Sequence, residues 1–317
     1  MFQFESHFFD WNFAVPPKEL NNPTFWSTFN ATSEDELLCA ARKQYIEENF
    51  RVNKLIHSHK QKLTYEKTPN YMFLPSVPEL IYKVCPWHPK IILILRNPVD
   101  RAYSHFVMDS SKQRVDLSFE KYIELEMETM RQFRLTSIPN LPASKWDSVD
   151  YDSAQMKRHF NHPPNKMTQE ELDHAHWMVY RHRHMRNYLQ RGIYSVQLER
   201  WMKFFPLHEK LLVIHNERLH REPRVVMGEV LEFLGAPRPD YFENPKVSVS
   251  FHEDGERPKK LSKSSSILSV GGYAPMPNAT RMFLERFYQP YNDQLASVLG
   301  EDWRGVWDFD ASAVTHP

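Results

Sequence analysis

Glycine is scarce in this chain, 8 residues of 317, and no G-x-x-x-x-G-K phosphate loop occurs anywhere. Cysteine is scarcer still. With only Cys39 and Cys85, neither a disulfide framework nor a four-thiolate zinc site can form, and the sequence leaves open whether the two pair. No excess of one charge is present, because 40 Lys plus Arg balance 40 Asp plus Glu. That balance excludes the global basic field of a non-specific nucleic-acid binder, so any anion site must be local. No apolar run approaches the roughly 20 residues that span a bilayer, and no basic segment followed by an apolar one opens the chain. The expectation is a soluble chain with no membrane segment and no address. Internal repeats are absent as well.

Proline, at 23 residues, and aromatics, at 14%, are plentiful, which points to a loop-rich globular protein packed with aromatic rings. The length fits one α/β domain with insertions, so a single domain over 1–317 with one core is expected.

The chain organises around Lys90 to Phe106, KIILILRNPVDRAYSHF. Ile91 to Leu95 is continuously apolar and mostly β-branched, the pattern of a parallel strand covered on both faces by helices. Arg96 stands at its carboxyl end. Asn97 precedes Pro98, and proline suits a first helical turn, where its missing N–H costs nothing, so a helix is predicted to begin near Pro98. Asp100, Arg101, Ser104 and His105 then crowd its first two turns, near the unsatisfied backbone donors and the positive end of the helix dipole. Such a place suits phosphate, although a capped and solvated strand-to-helix junction accounts for the same residues.

Upstream, Phe2 to Asp10 (FQFESHFFD) sets Glu5 and His7 on one face of a short extended segment with phenylalanines between. Ser33 and Glu36 make a capping-box pattern before a helix predicted from Asp35 to about Ile56. Lys67 lies in a polar turn within Tyr65 to Phe73, YEKTPNYMF, and Val77 to Val84 reads as a short helix. Downstream, Ser118 to Leu135 reads as helical, and a variable insertion is expected at about 111–168, where long loops would carry acceptor contacts. The histidines of His174 to Arg186 stand two apart, on diverging sides of a helix, so a basic face is favoured over a metal site. Arg191 to Pro206 places Tyr194, Leu198 and Trp201 or Met202 at helical spacing before a second strand, Lys210 to His215. Val225, Val226, Val230, Leu231, Phe233 and Leu234 read as one buried helix face. A closing helix is predicted over 278–299, with Phe283, Phe287, Tyr291 and Leu295 inward.

Several of these stretches resemble sulfotransferases that use 3'-phosphoadenosine 5'-phosphosulfate (PAPS), in particular the glycosaminoglycan branch with the heparan sulfate glucosaminyl 3-O-sulfotransferases. RNPVDRAYSHF resembles their 3'-phosphate motif, which implies that Arg96 and Ser104 grip that phosphate, with Arg101 alongside. ESHFFD resembles E-x-H-F-F-D, making Glu5 the general base with His7 and Asp10 in support. EKTPNYMF resembles E-K-T-P-x-Y-F, with Met72 intervening, and puts Lys67 beside the transferring sulfuryl group. RGIYSVQLERW resembles R-G-x-Y-x-x-x-L-x-x-W, so Arg191 and Tyr194 are candidate nucleotide contacts.

The resemblance implies a P-loop-like α/β fold, a central parallel sheet flanked by helices. It implies PAPS as cosubstrate, no metal, and transfer to a hydroxyl or amine of a carbohydrate, with no nucleic acid as partner. Two departures accompany it. The family's basic nucleotide-covering loop, near Lys259, Lys260 and Lys263 here, aligns with Gly271-Gly272-Tyr273. Its first strand, loop and helix, which cradle the 5'-phosphosulfate, precede E-x-H-F-F-D, whereas Met1 stands four residues before Glu5. A truncated chain or impaired activity is therefore expected. The alternatives are a binding remnant of the fold or another nucleotide-dependent transferase such as a P-loop kinase, whose Walker lysine and magnesium-binding acid are not seen. Glycan-modifying relatives work in the Golgi lumen behind an N-terminal anchor. The compartment therefore stays open: the Golgi lumen if such an anchor precedes these residues, the cytoplasm otherwise.

Overall fold

In a computed structural model that describes residues 8–9, 31–50, 64–132, 186–238 and 275–307, the elements follow in order as α1 (Glu34–Asn49), α2 (Val77–Val84), β1 (Ile91–Leu95), α3 (Pro98–Ser111) and α4 (Phe119–Gln132). After them come a 3-10 turn (Gln190–Gly192), α5 (Tyr194–Met202), β2 (Leu211–His215), α6 (Asn216–Arg221), α7 (Pro223–Leu234), α8 (Asn278–Leu299) and a 3-10 turn at Glu301–Trp303. Among the described residues β1 pairs with β2 alone, in parallel. The chain divides into two compact units, Met1–Ile91 with Gln197–Leu211, and Ile92–Val196 with Leu212–Pro317.

In the first unit α1 starts at Ser33, whose Oγ accepts from Glu36 N at 3.3 Å. Glu36 reaches back one residue further than a capping box requires, accepting from Thr32 N at 2.7 Å and Thr32 Oγ1 at 2.6 Å. The helix stops at Asn49, short of Ile56, because Phe50 turns extended and tucks its ring edge-on against Tyr45, 5.2 Å between centroids. Leu37, Ala41 and Tyr45 bury the inner face. Arg42 Nε donates to the Val84 carbonyl at 2.7 Å and Lys83 pairs with Glu34 at 3.0 Å, which ties α1 to the end of α2. Cys39 and Cys85 are both free thiols, one exposed and one buried, and burial pushes the Cys85 thiol up to about 12.

Among the described residues the second unit has two apolar clusters. One joins α3, α4, the Tyr188–Ile193 segment and α8 through Val99, Ala102, Ile123, Leu189, Leu284 and Tyr288. The other sets Val226 and Val230 of α7 against Ile214 and Leu219. Three expectations are corrected here. Ile94 of β1 is 54% exposed, so among the described residues the strand is not covered on both faces. Val225 is exposed, because a break at Glu222, where α6 ends and Pro223 starts α7, turns Val226 and Val230 inward instead. Phe283 is exposed as well. The α8 stripe is Leu284, Tyr288, Tyr291 and Leu295, at spacings of four, three and four along one helix face.

Candidate functional site

Phe8 and Phe9, the two rings of the E-x-H-F-F-D stretch, are 0% and 1% exposed. They meet edge to face at 5.0 Å and pack on Tyr45 at 5.1 and 4.9 Å. Phe9 also packs on Tyr71 at 5.6 Å, and its backbone N–H donates to the Tyr71 hydroxyl at 3.2 Å. The first motif is thereby fastened to the lysine-bearing one. Glu5, His7 and Asp10 lie outside the described residues.

Lys67 is exposed, while its neighbour Thr68 is buried. The chain then folds through two successive turns, Tyr71 N to Thr68 O at 3.1 Å and Phe73 N to Asn70 O at 3.2 Å. Tyr71 and Phe73 become anchors that leave Lys67 facing outward. Met72, the intervening residue, gives its carbonyl to the indole N–H of the buried Trp201 at 3.2 Å, so the tryptophan of R-G-x-Y-x-x-x-L-x-x-W braces this same turn.

In the other unit, Arg96 emerges exposed from the carboxyl end of β1. Asn97 caps α3, its Oδ1 accepting from Val99 N at 2.9 Å and Asp100 N at 3.4 Å. The backbone donors expected to await an anion are therefore engaged by Asn97, which leaves anion binding to side chains. Asp100 pairs with Arg281 of α8 at 2.6 Å. Ser104, partly buried, lies two turns into α3. Arg101 has its guanidinium turned onto the Tyr188 carbonyl, so it works as a brace. The buried Tyr194 donates its hydroxyl to the Arg96 carbonyl at 2.9 Å, and burial pushes that hydroxyl up to about 12, keeping it a donor at neutral pH.

Three supports were not among the candidate site residues, although Glu217 opens a stretch, Glu217 to Pro237, that resembles the family's segment after R-G-x-Y-x-x-x-L-x-x-W. Glu217, one residue into α6, accepts from Asn97 N at 2.9 Å and fixes the turn that follows Arg96 from the β2 side. Glu126 of α4 accepts from the backbone N–H of Leu189 and Gln190, and Tyr288 donates to the Leu189 carbonyl at 2.9 Å. Their contacts span 120, 63 and 99 residues respectively, so no local pattern could have announced them.

His105 sits next to Ser104. Burial first, then the positive charges of Arg101, Arg191, Arg186 and Lys112, hold its pKa well below the usual range. At neutral pH it is uncharged, so its 3.5 Å approach to Asp109 is a contact of a neutral ring rather than an ion pair. Arg101, Arg191, Arg186 and Lys112 all act on His105, with the buried Asp109 carboxylate among them, 3.8 Å from Arg186. The arrangement can hold a multiply charged anion at the end of a strand, with Arg96 and Ser104 as its side-chain donors. Arg96, Arg101, Ser104, Arg191 and Tyr194 thus share one unit, and Lys67 belongs to the other.

A model of the sulfotransferase domain matches residues 27–265. Over 249 residues the chain is 27% identical to heparan sulfate glucosamine 3-O-sulfotransferase 6 of Homo sapiens, covering 76% of this chain and 56% of that protein. Over 241 residues it is 26% identical to bifunctional heparan sulfate N-deacetylase/N-sulfotransferase 4 of Mus musculus, covering 74% of this chain and 22% of that protein. The chain therefore spans about half the length of the first relative and about a fifth of the second. A crystal structure of a sulfotransferase from Alicyclobacillus acidocaldarius aligns with 83% of this chain and 78% of that one, at 19% identity and a TM-score of 0.44. With the domain model matching well over half of its length, the chain belongs to the sulfotransferase-domain family and has that family's α/β fold.

Proposed function

We propose that this chain moves a sulfuryl group from PAPS to a hydroxyl or amine of a carbohydrate acceptor. The observation that carries the reading is Arg96, exposed at the end of β1, its carbonyl held by Tyr194 and the following helix presenting Ser104. A planar guanidinium takes two oxygens of a phosphate at once, and a hydroxyl donates to a third. That is a complement for a 3'-phosphate. PAPS, when bound, supplies an activated sulfuryl group with a phosphate leaving group.

Glu5 accepts the proton of the attacking acceptor group, with His7 and Asp10 orienting it. The new bond forms between the acceptor oxygen or nitrogen and sulfur as the bond from sulfur to the 5'-phosphate oxygen breaks, and 3'-phosphoadenosine 5'-phosphate departs. Lys67 offsets the charge that grows on that departing phosphate. Arg96 and Ser104 hold the 3'-phosphate, and Arg191 adds positive charge on the same flank. The carbohydrate assignment draws on the relatives, whose names specify heparan sulfate, and on glutamate as the base.

Calorimetry separates this reading from its competitors. Binding of 3'-phosphoadenosine 5'-phosphate, with ATP·Mg much weaker, is the expected outcome. Preferential ATP binding would point to a kinase-like transferase, and binding of neither to a remnant of the fold.

A further inference from the structure

The segment Tyr188–Gly192 is short and buried, yet it is held from several directions. From α4, Glu126 is 4% exposed. Both of its carboxylate oxygens accept from Leu189 N at 3.0 Å, and Oε1 also accepts from Gln190 N at 2.8 Å. From α8, the Tyr288 hydroxyl donates to the Leu189 carbonyl at 2.9 Å. The same ring presses on the turn, since a Cβ on Gly192 would lie 2.7 Å from the Tyr288 hydroxyl oxygen. From α3, Arg101 donates to the Tyr188 carbonyl and Asp109 accepts from the Tyr188 hydroxyl at 3.1 Å. Backbone bonds close the turn itself, Gly192 N to Leu189 O at 2.9 Å and Ile193 N to Gln190 O at 3.1 Å.

A buried carboxyl group is costly unless its oxygens find donors, and here both oxygens accept from one stretch of backbone. That stretch has a definite output. It presents Arg191, whose charge is felt at His105 next to Ser104. It also starts α5 at Tyr194, whose hydroxyl fixes the Arg96 carbonyl. The register of the turn therefore sets two of the groups on the anion-binding flank.

We propose that Glu126, assisted by Tyr288, is a positioning residue for the nucleotide's 3'-phosphate, acting through the Leu189–Gly192 turn on Arg191 and, through Tyr194, on Arg96. Neither residue belongs to the motifs that mark the family here. The inference rests on the PAPS reading above.

The test is the affinity ratio of 3'-phosphoadenosine 5'-phosphate to adenosine 5'-phosphate, ligands that differ only in the 3'-phosphate. It is measured by calorimetry on the parent chain, Glu126→Gln and Tyr288→Phe. Glutamine keeps the shape, and its carbonyl can take the Oε1 position, but its NH₂ then opposes the Leu189 N–H. A misplaced turn should lower the ratio about 5- to 50-fold in Glu126→Gln, with adenosine 5'-phosphate affinity nearly unchanged. Tyr288→Phe, which loses one hydroxyl contact, should move the ratio the same way by a smaller factor. It decides the matter if the glutamine variant fails to fold. A lowered melting temperature with an unchanged ratio in the folded variants would make both residues merely structural and overturn the inference. A parent chain with no preference for the 3'-phosphorylated ligand would instead overturn the PAPS reading, and this inference with it.

Discussion

Replacing Arg96 with alanine isolates the 3'-phosphate contribution, because the side chain does little else. It is exposed, and among the described residues its guanidinium makes no hydrogen bond or ion pair. The contact that anchors the residue, Tyr194 Oη to the Arg96 carbonyl at 2.9 Å, is a backbone contact and survives the substitution. Stability should therefore change by no more than about 0.5 kcal/mol. Nucleotide binding should change far more. Loss of a charge-assisted hydrogen-bond pair to a phosphate costs roughly 1.5–3 kcal/mol, or about a 10- to 150-fold weaker complex. Calorimetry with 3'-phosphoadenosine 5'-phosphate should show that loss, while adenosine 5'-phosphate binds mutant and parent almost equally. Equal weakening of both ligands, or unfolding without a change in selectivity, would refute the assignment of Arg96 to the 3'-phosphate.

Glu5→Gln should lower turnover by roughly 10²–10⁴-fold with nucleotide affinity nearly intact. A variant with undiminished turnover removes Glu5 as the base. Gly192→Ala should destabilise the fold by about 1–3 kcal/mol in urea titrations, since the added methyl meets the Tyr288 hydroxyl oxygen at 2.7 Å and ring atoms at 2.8 Å. Tyr288→Phe should relieve this only in part, and an unaffected Gly192→Ala chain would show that the turn can move. The pH dependence of stability tests Glu126. Burial, partly offset by the Gln190 and Leu189 N–H groups and by Arg101, pushes its carboxyl up to about 7. A carboxyl raised on folding holds its proton more tightly in the folded state, so its contribution is complete below about 4.5 and is lost as pH rises through about 7. Unfolding at pH 5 and pH 8 should thus show the advantage of the parent over Glu126→Gln shrinking by roughly 3 kcal/mol or less at the higher pH. A pH-independent difference would mean that Glu126 does not titrate in this window.

What the sequence announced about fold was local. Ile91 to Leu95, Val77 to Val84 and the 278–299 helix were legible because apolar runs, prolines and caps act within a few residues of themselves. Which face turns inward was less so. Phe283 and Val225 look as apolar as Leu284 and Val226, and only the partners packed on α8 and α7 decide which is buried. At the candidate site, Arg96, Ser104, Lys67 and Tyr194 could be picked out because they sit in short recognisable strings. Arg101, singled out for the nucleotide, bonds to the Tyr188 carbonyl. The role of Asn97 as α3 cap shows why spare amide donors could not be assumed at that helix start. The roles of Glu126, Glu217 and Tyr288 were not legible for a simpler reason, since each acts on backbone more than 60 residues away, even though Glu217 opens a family-like stretch.

Transfer itself is the most direct test of the account. With PAPS labelled in the sulfuryl group, the chain should place label on a heparan sulfate acceptor, release 3'-phosphoadenosine 5'-phosphate in equal amount, and lose this activity on Glu5→Gln. Label appearing on phenols or steroids but on no sugar would contradict the acceptor assignment. No transfer to any acceptor by a chain that still binds 3'-phosphoadenosine 5'-phosphate would contradict the claim that it is a sulfotransferase in action as well as in family.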